Sequence, residues 1–302
     1  SFVILALGLG SGEVILWPYL VANFGLGIAW AAVLGILCQF FINMEIERYA
    51  LVKGESVFVG LADRFRHAPY WFIVSTFIGF GLPGIVSASA HVLAHALHLN
   101  TGVRFIAIGF LVLMGLILST GKTVYSMMER ITKTVILLAV PFLLILVFFV
   151  TQKHDWLMLL QGLFAYGEGY RFVPADIAIA AFVAAFAYSG AGGNLNLTQS
   201  IYIKEKGYGM GAYAQKVAGL FHEKGQAQQV QLRGTLPPLT AASERSFLAW
   251  WRNMTIEHSL IFFILGSVSI LLLMLLSYSL SYGTEGTVQG IGFVMNQGDA
   301  LR

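Results

Sequence analysis

The chain of 302 residues is 57% hydrophobic and only 11% charged, with a formal net charge of +3 and a mean hydropathy of +0.76. A soluble domain carries about 25% charged residues to cover its surface, so water is excluded as the main solvent, and the small positive charge calls for no nucleic-acid partner. Because backbone groups in hydrocarbon must be paired within the chain, apolar runs of about 20 residues imply helices rather than strands of about 10. The expected fold is an all-α polytopic membrane protein in contact with the lipid bilayer.

Seven spans follow in chain order, at 2–23, 27–46, 70–91, 103–120, 135–151, 176–204 and 256–282. The first and sixth are interrupted by glycine. Fourteen of the eighteen basic residues fall after spans 2, 4 and 6, among them Arg48, Lys53, Lys133, Lys204 and Arg252. By the positive-inside rule those loops are cytoplasmic, which places the start of span 1 inside and the protein in a plasma (inner) membrane. Span 1 is too long, and too interrupted by Gly8, Gly10 and Gly12, for a signal peptide. The chain opens on Ser1 within an apolar run and stops at Arg302 soon after span 7; it reads as a fragment, 1–302, of one transmembrane transporter domain. Within it 205–253 forms a cytoplasmic loop, part helix and part linker, and the Trp156 stretch of 152–175 an interfacial helix. The single Cys38 excludes an intrachain disulfide.

The two interrupted spans carry the candidate site. Gly10, Ser11 and Gly12 lead into Glu13 within span 1, and a carboxylate at membrane depth must face protein or a water-filled cavity. Span 6 holds Gly190, Ala191, Gly192 and Gly193, followed by Asn194, Asn196 and Gln199. Paired Gly-interrupted spans at corresponding places in two halves mark the midplane site of a secondary transporter. They stand five spans apart, as in a five-helix inverted repeat of the LeuT-like type. The candidate substrate-binding residues are Gly10, Ser11, Glu13, Gly190, Ala191, Asn194, Asn196 and Gln199. Close helix packing through small residues is the structural alternative for the glycines.

Further stretches follow at matching spacing: Asn23-Phe24-Gly25, Ile28-Ala29-Trp30, Glu47-Arg48-Tyr49 through Lys53-Gly54-Glu55-Ser56, Asp63-Arg64-Phe65 and Thr255-Ile256-Glu257-His258-Ser259. Together with Gly10-Ser11-Gly12-Glu13, their order resembles the natural resistance-associated macrophage protein (Nramp) family of divalent-metal transporters, over essentially the whole chain. The resemblance implies the broken-helix inverted-repeat fold, with spans 1–5 as the first repeat and 6–7 opening the second. It also implies metal ligands at the two breaks. Gly10 and Glu13 stand where the family has its helix 1 Asp and Asn, and Ala191-Gly192-Gly193 stand where it has Met-Pro-His. The metal candidates are therefore Glu13, Asn194 and Asn196. Oxygen ligands without sulfur suit a hard ion such as magnesium better than manganese or iron, as in the family's magnesium-transporting relatives. Gly81 and Gly84 occupy the family's acid-pair positions on its proton route, so transport without proton coupling is expected.

Other residues read as structural. His91, His95 and His98 share a helix face as interfacial histidines. Glu45 and Glu47 lie at a solvated helix end, Glu257 and His258 open span 7, and Trp17, Tyr19, Trp71 and Trp156 are candidate interface anchors. No nucleophile–base motif or phosphate-binding loop occurs, so no enzyme and no cofactor is expected, the divalent cation being the substrate. A small organic solute such as an amino acid as cargo, or a non-transporting receptor or scaffold with this fold, stays open. The oligomeric state is not legible.

Overall fold

The computed structural model describes residues 1–10, 12–81, 84–99, 102–120, 123–215, 232–284 and 290–301. Every regular element among them is helical: α1 (Phe2–Gly8), α2 (Trp17–Phe24), α3 (Ala29–Lys53), α4 (Val57–Arg64), α5 (Ala68–Thr76), α6 (Gly84–Ala96), α7 (Val103–Thr120), α8 (Val124–Val150), α9 (Lys153–Leu163), α10 (Ile179–Ala187), α11 (Asn194–Lys206), α12 (Ala241–His258), α13 (Gly266–Ser281) and α14 (Ile291–Ala300). Among the described residues four helical runs are long and apolar enough to cross a membrane: Leu26–Lys53, Ala68–Ala96, Val124–Val150 and Ala241–Ser281. A fifth forms if α1 and the run Glu13–Phe24, bent by 47° at their break, count as one span.

The remaining two expected spans differ for physical reasons. Val103–Ser119 is apolar but short. The sixth is two helices, and its second half, α11, is rich in amides and lysines and buries Asn196, Gln199 and Ser200 against protein. The last span also starts earlier than hydropathy indicates. Thr240 caps α12 by accepting the Ser243 N–H at 3.2 Å, and the helix continues through a π-wound stretch, Ser259–Leu265, into α13.

Phe105, Ile108 and Leu116 on α7 and Phe142, Phe148 and Phe149 on α8 are exposed. Such an apolar exterior fits lipid contact rather than water. The interior is built by α2, α3, α13 and the α1–α8 pair, around Trp17, Leu20, Ile28, Ile36, Phe262 and Met274, all essentially inaccessible. Lipid is as apolar as leucine, so helix association there relies on close packing and interhelical hydrogen bonds. α9 lies against the turn at Leu26–Ile28, where Gly162 is indispensable: a Cβ on it would come 2.0 Å from the Leu26 carbonyl oxygen. A Gln152–Asp155 capping box starts this helix.

Candidate functional site at the crossing of two broken helices

After α1 the chain turns at Leu9–Gly10 and resumes as a π-wound turn, Gly12–Leu16, before α2. Pro18 accounts for part of this. It lacks the N–H that an α-helix would bond four residues back, and a widened turn ahead of it accommodates the loss. The second break runs from Tyr188 to Gly193, between α10 and α11. Gly190 and Gly193 adopt φ of +91° and +62°, a region that residues with a Cβ rarely enter.

The breaks touch. A Cβ on Gly8 would lie 1.7 Å from the Gly190 carbonyl oxygen, and one on Gly35 of α3 would lie 2.7 Å from that of Phe186. Gly8 therefore serves the close packing that was the structural alternative, and Gly35 does the same outside the breaks. Unwinding also frees backbone groups that are costly when left bare in a dry interior, and three side chains meet them. The Glu13 carboxylate, 1% exposed, accepts the Gly190 N–H through Oε1 at 2.5 Å and the Gly10 N–H through Oε2 at 3.3 Å. Gln39 Nε2 donates to the Ala187 carbonyl at 2.8 Å. Trp17 Nε1 donates at 2.9 Å to the Ser189 hydroxyl, which itself donates to the Ala185 carbonyl at 2.9 Å.

The other candidates are distributed around this crossing. Gly10, Gly190 and Ala191 belong to the breaks, and Ser11 lies outside the described residues. Asn194 donates to Ser75 Oγ at 2.8 Å and Thr76 Oγ1 at 3.0 Å, toward α5. Asn196 donates to Gln39 Oε1 and Gln199 to Glu47 Oε1. Among the described residues no hydrogen bond joins Glu13 to Asn194 or Asn196, so the three metal candidates are held by three different sets of partners.

Compared with known proteins, the chain matches no family model, no curated protein and no solved structure. The site is therefore read from its own chemistry.

Several residues that read as peripheral in sequence prove central. Glu47 and His258, expected at helix ends, are both 0% exposed and meet at 2.9 Å between Oε1 and Nδ1. Trp17, a candidate interface anchor, is fully buried at the break, whereas Trp71 is exposed. The signal for Glu47 was present: Gln39, Asn43 and Glu47 recur every four residues along an otherwise apolar span, which sets one polar stripe on one face. Glu45, by contrast, is exposed and pairs with Arg48 at 2.5 Å. His95 contacts Asp299 of α14 at 2.9 Å. A cavity of about 1180 Å³ opens elsewhere, between Leu51, Met210 and the 235–250 segment, and contains none of the crossing residues.

Proposed function

We propose that this chain is the transport domain of a secondary transporter that moves a hard divalent cation, magnesium rather than manganese or iron, across the membrane. The observation that carries this reading is the meeting of two broken spans at one buried carboxylate, Glu13. Broken helices stabilised by protein contacts and an ionisable group at membrane depth are the features of a translocation site. In this reading the crossing is the midplane of a five-helix inverted repeat of the Nramp type. Each Glu13 oxygen accepts one N–H and retains a lone pair, and the carbonyls of the unwound segments supply further hard donors. A magnesium ion keeps several of its own waters, so few protein ligands suffice. With Gly81 and Gly84 at the acid-pair positions, movement down the cation's own gradient without proton exchange belongs to the same proposal.

Proteoliposome uptake of radiolabelled magnesium, manganese and an amino-acid mixture tests it. Saturable magnesium uptake that Glu13→Gln abolishes, in protein that still elutes as a folded species, is the expected result. Amino-acid uptake instead, or magnesium uptake unchanged by Glu13→Gln, overturns the assignment. A proton-sensitive dye inside the same vesicles reports coupling, and cation-dependent acidification contradicts the uncoupled form.

A further inference from the structure

Beside the crossing, and extending one helical turn after another away from it, lies a second polar region that shares only Gln39 with the breaks. Gln39, Asn43 and Glu47 form the stripe on α3; Asn196 and Gln199, three residues apart and so on one face, oppose it from α11; His258 of α12 closes it. All six side chains are buried. Gln39–Asn196, Gln199–Glu47 and His258–Glu47 contacts tie the three helices together. The His258 ring stacks on Phe262, with centroids 4.7 Å apart, and on Phe40 at 5.5 Å, which seals one side.

In this region Asn43 Oδ1 and Nδ2, Glu47 Oε2, Asn196 Oδ1, Gln199 Oε1 and His258 Nε2 have no hydrogen-bond partner. Buried polar atoms are normally paired, and such a concentration demands an explanation. The amide orientations are not arbitrary. Gln39 presents its nitrogen to the Ala187 carbonyl, so its oxygen faces Asn196, whose nitrogen must answer it; the bare atom of Asn196 is then its oxygen. Gln199 must likewise offer its nitrogen to the Glu47 carboxylate, which leaves its oxygen bare. Asn43 contributes an oxygen whichever way it is turned.

Four unpartnered oxygens therefore share the seam, against one unpartnered amide nitrogen. An excess of acceptors is answered by a hydrogen-bond donor such as water or by a cation, and a single cation serves several oxygens at once. Glu47 is the single carboxylate of the seam, and His258 Nδ1 lies 2.9 Å from its Oε1. Four direct protein oxygens with one carboxylate suit a monovalent ion that sheds its waters better than magnesium, which keeps several of its own. Oxygen donors select hard ions. We propose that Asn43, Glu47, Asn196 and Gln199 form a binding site for one small monovalent cation of the sodium class, distinct from the Glu13 crossing, with His258 positioning the carboxylate.

The full chain, purified in detergent, is tested by equilibrium binding of ²²Na⁺ with choline as the ionic-strength control. Saturable binding of one ion per chain is expected, resistant to equimolar magnesium. Glu47→Gln removes the seam's only carboxylate and should weaken it at least about tenfold. Asn43→Leu should also weaken it, and decides the matter if Glu47→Gln does not fold. Glu13→Gln should bind sodium as the unsubstituted chain does, even where it abolishes cargo uptake, which separates this site from the proposed function. Absence of saturable ²²Na⁺ binding to folded protein, an affinity unchanged in Asn43→Leu, or a loss equal in Glu13→Gln would overturn the assignment.

Discussion

The crossing of the two breaks and the adjoining α3–α11–α12 seam are both buried and polar, yet they treat their polar atoms in opposite ways. At the crossing, the N–H of Gly190, the carbonyl of Ala187 and the hydroxyl of Ser189 each have a side-chain partner, in Glu13, Gln39 and Trp17. In the seam, Asn43 has none at all, and Glu47, Asn196, Gln199 and His258 are each half satisfied. Satisfied groups hold a shape, since removing any one partner strands another. Unsatisfied groups cost stability in the protein alone and are retained where something else completes them. The crossing therefore holds its own shape around Glu13, whereas the seam is completed only by an occupant.

The sharpest way to break this contrast is steric. Gly8→Ala puts a methyl group into the Gly190 carbonyl; overpacking of this kind costs about 1–3 kcal/mol or more, and a sharp fall in melting temperature in detergent, with loss of monodisperse protein, is expected. Next, Gln39→Leu strands the Ala187 carbonyl and the Asn196 amide, at about 1–3 kcal/mol. In sodium-free buffer, Asn43→Leu should do the reverse and leave the melting temperature unchanged or raised, because it removes two bare polar atoms. Equal destabilisation by these two substitutions, four residues apart on one face, would dissolve the distinction between crossing and seam. Trp17→Phe keeps most of the ring packing and loses one hydrogen bond to Ser189, about 1 kcal/mol. Smallest of all, Glu45→Ala, on the exposed side of the same helix, should stay within about 0.5 kcal/mol, measured in the same thermal scan.

Much of the site was legible, though unevenly. Gly10, Glu13, Gly190 and Gly193 stood out because glycine runs and a carboxylate are improbable in lipid, and chemical cost is visible without coordinates. Asn194 and Asn196 stood out for the same reason, but their partners were not: the first turns to α5 and the second to α3, and a linear pattern does not say which neighbouring helix a side chain faces. Glu47 and His258 were read as helix ends because hydropathy windows end spans at the first charges. The helices instead run on, to Lys53 at one end and back to Ala241 at the other, carrying those charges into the packed interior.

By itself, the sequence determined that the chain is helical and apolar enough for a membrane, and that its first and sixth apolar segments are broken, since composition and backbone freedom act locally. Only the tertiary structure decided that the breaks cross at Gly8 and Gly190, that Glu13 bridges them, and that Asn43 and Glu47 are enclosed with bare oxygens. Those facts depend on which faces of α3, α11 and α12 meet, and contacts between residues some 150 positions apart, such as Gln39 with Asn196 and Glu47 with Gln199, are settled by packing rather than by neighbours in the chain.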